Sequence, residues 1–285
     1  MRAFVPDYDA VCAPDVAVAL DLLASGEGWR PIAGGTDLMV LFNAGKLPYS
    51  RLFSIRAIAA LRTIETLSGD MVLGAAVTYT QIRQNSILRT EFPLLAEAAS
   101  WTGGIANQNR GTLGGNIVDA SPAADSAPAL LVYDAELALL SHRGERRIPY
   151  RDFHTGYKQM QILPDELLYQ IRLPRHSARD AQYSRKVGTR RAQAISKVSL
   201  AATTRFHYGT IEDIRIAAGS VAPVPLRCYQ TERLLAGKRI TSDLIAQARD
   251  VIRAEIAPMS DIRSTEAYRS VVTANLLAEY LESLQ

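Results

Sequence analysis

Residues 102–116 read TGGIANQNRGTLGGN, with five glycines in fifteen positions. That run excludes an ordinary core helix, because glycine weakens a helix and supplies no side chain to bury. A second glycine pair occurs in Ala33-Gly34-Gly35-Thr36-Asp37. It follows a strand expected at 31–33 and precedes LMVLFN, which reads as a helix with Thr36 as N-cap and Gly45 as its stop. A strand, glycine turn and helix in succession let backbone amides and the positive helix end face phosphate oxygens, with Thr36 adding a hydroxyl donor. Thr112-Leu113-Gly114-Gly115-Asn116, within the first run, carries hydroxyl and amide side chains that suit phosphate or ribitol contacts, and Asp125, nine residues on, brings a carboxylate for sugar hydroxyls or a ring N–H. Each loop taken alone suits plain turn chemistry at least as well. Neither matches GxGxxG or GxxxxGK[ST], which excludes a Rossmann site and a P-loop.

The surrounding pattern supplies a mixed fold. Apolar residues at helical spacing over 15–25 predict a helix capped by Asp15 and ended by Gly26. Strands are expected at 51–55 and at 63–67 and 71–77, the last two joined by Ser-Gly-Asp. A helix follows over 93–101, and a strand over 167–173 runs into Pro174. The polar stretch 175–180 marks a domain boundary. Beyond it, 197–208 and 211–217 read as a hairpin about Gly209, 221–227 as a proline-rich crossing, and 230–235, 242–255 and 264–284 as helices. Strands followed by helices give an α+β ending.

Composition narrows the functions. With 48% apolar residues in 285 the chain can bury a proper core, and its net charge of +3 comes from acids and bases spread evenly. No basic run points to a nucleic acid partner. The apolar stretches 16–24 and 127–133 are too short to cross a bilayer and MRAFVPDYDA has no signal-peptide core, so a cytoplasmic protein with no membrane role is expected. Two distant cysteines, Cys12 and Cys228, form neither a disulfide framework nor an iron–sulfur ligand set. His142, His154, His176 and His207 lack metal-ligand spacing. No metal site and no catalytic acid, base or nucleophile is expected on this chain.

The motifs AGGTDL, LGAA at 73–76, GTLGGNIVDASPAADSAPAL, FHTGYK at 153–158 and RKVGTRRAQAISKVSLA together resemble one family. It is the FAD-binding medium subunit of the molybdenum hydroxylases, which include xanthine dehydrogenase, aldehyde oxidoreductase and carbon monoxide dehydrogenase. The likeness is greatest to the separately encoded bacterial xanthine dehydrogenase-type subunit. The resemblance implies a vanillyl-alcohol-oxidase (PCMH) type FAD-binding domain over 1–175, with subdomains about 1–56 and 57–175. A smaller α+β domain of antiparallel sheet plus helices would follow over 178–285.

It also implies non-covalent FAD held at Pro31, Ile32, Ala33, Gly34, Gly35, Thr36, Asp37 and Leu38, at Thr102, and at Thr112, Leu113, Gly114, Gly115 and Asn116. Asp125 would bind the cofactor, and Leu168 and Lys186 would lie by the isoalloxazine or its ribityl end. A lysine there stabilises anionic reduced flavin. The family often carries an aromatic residue near 102–104; here ThrGlyGly stands in that place and Trp101 is the nearest ring. The implied role is electron transfer from [2Fe–2S] clusters of a small partner subunit, fed by a molybdenum–pterin large subunit, to NAD⁺ or another acceptor. A stand-alone flavin oxidase of the same fold, or a non-catalytic partner subunit, would carry the same glycine turns.

Overall fold

The computed structural model describes residues 7–175, 181–190 and 193–285, so the expected boundary at 175–180 lies, beyond Arg175, outside the described residues. The first elements are β1 (Asp9–Cys12), α1 (Val16–Ala24), β2 (Arg30–Ile32), α2 (Leu38–Asn43) and β3 (Arg51–Ser54). Their strands form a parallel sheet in the order β1-β3-β2, the arrangement that helical crossovers impose. Asp15 caps α1 by accepting the Val18 amide at 3.0 Å, and Gly26 follows at φ +72°. Leu20, Leu23, Phe53 and Leu61 fill this lobe. The cap of α2 is Asp37 rather than Thr36, because Asp37 has already entered the helical region, and its side chain makes no cap bond. No residue of α2 is buried, so this helix is held by its flanking loops more than by packing.

The second lobe comprises β4 (Ile64–Thr66), β5 (Asp70–Gly74), α3 (Tyr79–Gln84), α4 (Ser86–Glu91), α5 (Pro93–Trp101), α6 (Ile105–Gln108), α7 (Leu113–Val118), α8 (Ala127–Val132), β6 (Glu136–Ser141), β7 (Gly144–Pro149), α9 (Tyr150–Phe153), β8 (His154–Gly156), β9 (Gln159–Met160) and β10 (Leu167–Pro174). An antiparallel sheet in the order β4-β5-β10-β6-β7 carries the helices. Leu73, Leu95, Leu130, Leu139 and Ile171 form its core. The glycine-rich run holds two short helices, α6 and α7, a departure from its expected irregularity. In α7, Leu113 and Ile117 are buried and Thr112 accepts the Gly115 amide at 3.0 Å, so a cap and two anchors offset the glycines.

The remaining elements are β11 (Ala181–Val187), β12 (Val198–His207), β13 (Thr210–Gly219), β14 (Leu226–Arg227), α10 (Tyr229–Leu235), α11 (Ser242–Glu255) and α12 (Glu266–Glu282). The strands pair antiparallel in the order β11-β12-β13-β14; β14 falls within the expected proline-rich crossing. Alternation decides what each face of this sheet meets. Leu200, Ala202, Ile216 and Ala218 pack with Leu244, Ile252, Leu277 and Leu281 of α11 and α12. Ala201 and Ala217, paired across the strands, turn the other way into the second lobe's core. Their small size lets fully buried α8 close on the sheet. Arg227 donates to Leu131 O at 2.8 Å and pairs with Asp134, as does Arg215, and Tyr133 Oη donates to Gln182 at 2.6 Å. That seam fixes β11 against the loops of the second lobe. The fold is thus α+β with two α/β lobes and a smaller sheet-and-helix unit.

Candidate functional site

The two glycine loops interlock. A Cβ placed on Gly34 would lie 2.6 Å from the Arg110 carbonyl carbon and 2.9 Å from Gly111 Cα. Both are backbone atoms, so any side chain at 34 forces the loops apart. Thr36 Oγ1 sits 3.3 Å from where a Gly111 Cβ would stand. Gly35 has φ +74°, which aims its neighbouring peptides as only glycine does easily. Among the described residues, no protein acceptor takes the amides of Gly34, Gly35, Thr36, Asp37 or Leu38. Five consecutive open donors in a turn leading into a helix form an anion-binding concavity. Pro31 and Ile32 on β2, with Ala33 after it, set where this turn begins.

The second loop has a different character. Leu113 N donates to Val77 O at 3.0 Å, Gly114 N to Ala75 O at 2.9 Å and Gly115 N to Thr112 Oγ1. The start of α7 is therefore satisfied inside the chain, unlike the open amides of the first loop. A Gly114 Cβ would lie 2.5 Å from Ala75 O, so Gly114 is needed for helix-on-strand contact. What the loop offers is a wall locked to 75–79 on one side and to Gly34 on the other. Residues of the FHTGYK motif hold its far end: His154 Nε2 meets Ile117 O at 2.9 Å, and Lys158 Nζ meets both Asp119 O and Oδ1 at 2.6 Å. A lysine on the last carbonyls of a helix is favourably placed for the dipole. Burial, then the neighbouring Asp119 carboxylate, raises the Asp37 carboxyl, and Lys158 opposes that rise.

Asp125 and Lys186 come together from distant segments. Lys186 Nζ lies 2.6 Å from Asp125 Oδ2 and 3.1 Å from Trp101 O, while Ser196 Oγ donates to Asp125 Oδ1 at 2.6 Å. The side chains are 7% and 10% exposed, so this is a buried pair closing one end of the loop region. Burial raises the Asp125 carboxyl, with Lys186 and Ser196 pulling it back. Asn116 is tied in by Ser126 Oγ, which donates to its Oδ1 at 2.6 Å. Thr102 is half-buried, its hydroxyl donating to Ala98 O at 2.9 Å. Nearby, a Gly104 Cβ would meet Gln193 Nε2 at 2.6 Å, so the connection between β11 and β12 also shapes this loop. Leu168 packs its side chain into the core, 4% exposed, beside a bulge in β10. His154, Lys158 and Ser196 sit inside motifs read from the sequence but were not named as site residues, and Tyr79 lies outside every motif; each is found by contact.

The arrangement fits a dinucleotide: open amides for a pyrophosphate, then a buried carboxylate, ammonium and hydroxyls farther along. The comparisons agree. The family described as "FAD binding domain in molybdopterin dehydrogenase" matches residues 6–176, and "CO dehydrogenase flavoprotein C-terminal domain" matches 183–284. The chain belongs to the FAD-binding medium subunits of the molybdenum hydroxylases, and so to the oxidoreductases. It is 32% identical to the xanthine dehydrogenase FAD-binding subunit of Escherichia coli O157:H7, across 90% of this chain and 89% of that one. It is 29% identical to the glyceraldehyde dehydrogenase medium chain of Sulfolobus acidocaldarius, across 94% and 95%. Carbon monoxide dehydrogenase from Hydrogenophaga pseudoflava superposes with a TM-score of 0.93 at 27% identity, covering 97% and 96% of the two chains. No described helix is long and apolar enough to cross a membrane.

Proposed function

We propose that this chain is the electron relay of a three-subunit molybdenum hydroxylase in the cytoplasm. It takes electrons from [2Fe–2S] clusters of a small subunit, supplied by a molybdenum–pterin large subunit, and passes them to NAD⁺ or another acceptor. The observation that carries the reading is the run of open amides from Gly34 to Leu38. In this reading those donors hold the FAD pyrophosphate, with Pro31, Ile32 and Ala33 setting the turn and Thr36 adding its hydroxyl. The segment from Thr112 to Asn116 forms the facing wall, and Thr102, Asp125, Lys186 and the Leu168 backbone lie toward the ribityl and ring end. Bound FAD supplies interconversion between one-electron and two-electron transfer. The protein's part is to orient the cofactor and keep charge paired around it. The division into 1–175 and 178–285 belongs to the same reading.

Gly35→Ala tests it. A side chain at φ +74° costs about 1–2 kcal/mol and turns the adjacent amides, so FAD retention falls while the fold persists by circular dichroism. Gly26→Ala, at φ +72° with nothing within 4 Å, imposes the same strain away from the loops and leaves FAD bound. Equal FAD content in both variants would sink the assignment of this turn.

A further inference from the structure

One buried polar atom near the proposed cofactor end, the Tyr79 hydroxyl, is unpaired among the described residues. Tyr79 opens α3, its amide donates to Gly111 O at 3.2 Å, and its ring edge lies 3.3 Å from the Cβ position of Gly111. The residue is 3% exposed, and its hydroxyl is buried without a hydrogen-bond partner among the described residues. Other such atoms, on Tyr183, Ser199, Thr203 and Arg269, belong to β11, β12 and α12. Those facing the Tyr79 hydroxyl are Asp125, Ser126, Thr102 and Tyr150; burial first, then the Asp125 charge, pushes the phenol up, so it keeps its proton. Thr102 and Ser126 close on this hydroxyl but donate elsewhere, to Ala98 O and Asn116, while Asp125 accepts from Lys186 and Ser196. A buried hydroxyl left unpaired is destabilising and uncommon in folded proteins.

We propose that Tyr79 is an FAD-positioning residue, whose hydroxyl becomes the donor to Asp125 when Lys186 turns from Asp125 toward the bound cofactor. This rests on the reading of Lys186 as a cofactor ligand. A carboxylate as buried as Asp125 cannot lose its ammonium partner without a replacement donor, and the Tyr79 hydroxyl, which feels the Asp125 charge, is a buried donor without a partner of its own. In the cofactor-free chain the same hydroxyl waits unpaired. Asp125 then stays fixed in both states, and the lysine is free to serve the cofactor.

The test compares the full chain, Tyr79→Phe, Asp125→Asn and the double variant by FAD titration, unfolding of the FAD-free protein and the midpoint potential of bound FAD. Tyr79→Phe is expected to leave FAD-free stability equal or higher, weaken FAD by about tenfold and lower the potential, since a less screened carboxylate opposes anionic reduced flavin. In the Asp125→Asn background the Tyr79→Phe effect on affinity should shrink to within about twofold. Unchanged affinity and potential in Tyr79→Phe, or the same loss in both backgrounds, overturns the proposal. So does an equal loss of stability with and without FAD, which marks a merely structural tyrosine. Failure of the unaltered chain to bind FAD would overturn the functional reading along with it.

Discussion

Gly34→Ala is the sharpest perturbation of the interlocked loops. The added Cβ falls 2.6 Å from the Arg110 carbonyl carbon and 2.9 Å from Gly111 Cα, and neither atom can rotate away. Ordinary contact begins near 3.4 Å, so the loops must separate by roughly 1 Å. Overpacking of this kind costs about 1–3 kcal/mol. The same displacement moves the open amides off the facing wall; loss of one charge-assisted bond costs about 1.5–3 kcal/mol, or roughly 10- to 100-fold in FAD affinity. Urea unfolding of the FAD-free chain reads the first effect, and fluorescence titration with FAD reads the second. Gly69→Ala is the reference, since a Cβ there meets nothing within 4 Å, and it should stay within about 0.5 kcal/mol of the unaltered chain. If Gly34→Ala matches Gly69→Ala in both assays, the loops are not locked together in solution.

Two buried carboxylates give opposite responses to pH. Lys186→Met leaves Asp125 buried without its counter-charge, served only by the neutral hydroxyls of Ser196 and Tyr79, and should cost about 3–5 kcal/mol near pH 7. Removing the lysine raises an Asp125 carboxyl already raised by burial, so the folded state binds the proton more tightly than the unfolded state. The deficit is therefore greatest at neutral pH and shrinks as pH falls toward the ordinary value of 3.8, as unfolding at a series of pH values would show. Glu166 is the reverse case: the Arg146 guanidinium, bonded at 2.6 and 2.8 Å, holds its carboxyl below the ordinary 4.5. Glu166→Gln should cost about 1–2 kcal/mol above pH 4.5, and thermal melts should converge with those of the unaltered chain as pH falls through the folded-state value.

Helices with strong local signals were legible from sequence. Asp15 and Gly26 bracket α1, Pro93 opens α5, and α11 and α12 carry apolar stripes long enough to read. The short helices α6 and α7 were not, because glycine and asparagine give no helical preference there; Thr112 and the segment 75–77 that follows β5 impose the turn. β14 was hidden because its pairing is with β13 across the crossing, a tertiary contact. At the site, both glycine loops and Asp125 were legible from residue type and spacing, and Lys186 through resemblance. The pairing of Asp125 with Lys186 was not legible, since it depends on α8 seating the third sheet on the second lobe. Nor was the inequality of the loops, with open amides at 34–38 and satisfied ones at 113–115, because hydrogen-bond partners from Ala75 and Val77 carry no local pattern.

Visible absorption of the full chain after FAD loading and gel filtration, followed by denaturation and filtration, reads directly whether this chain holds FAD through its own loops without a covalent bond. One FAD per chain is expected, and it passes entirely into the filtrate. A chain that emerges colourless, or flavin that stays with the denatured protein, would contradict it.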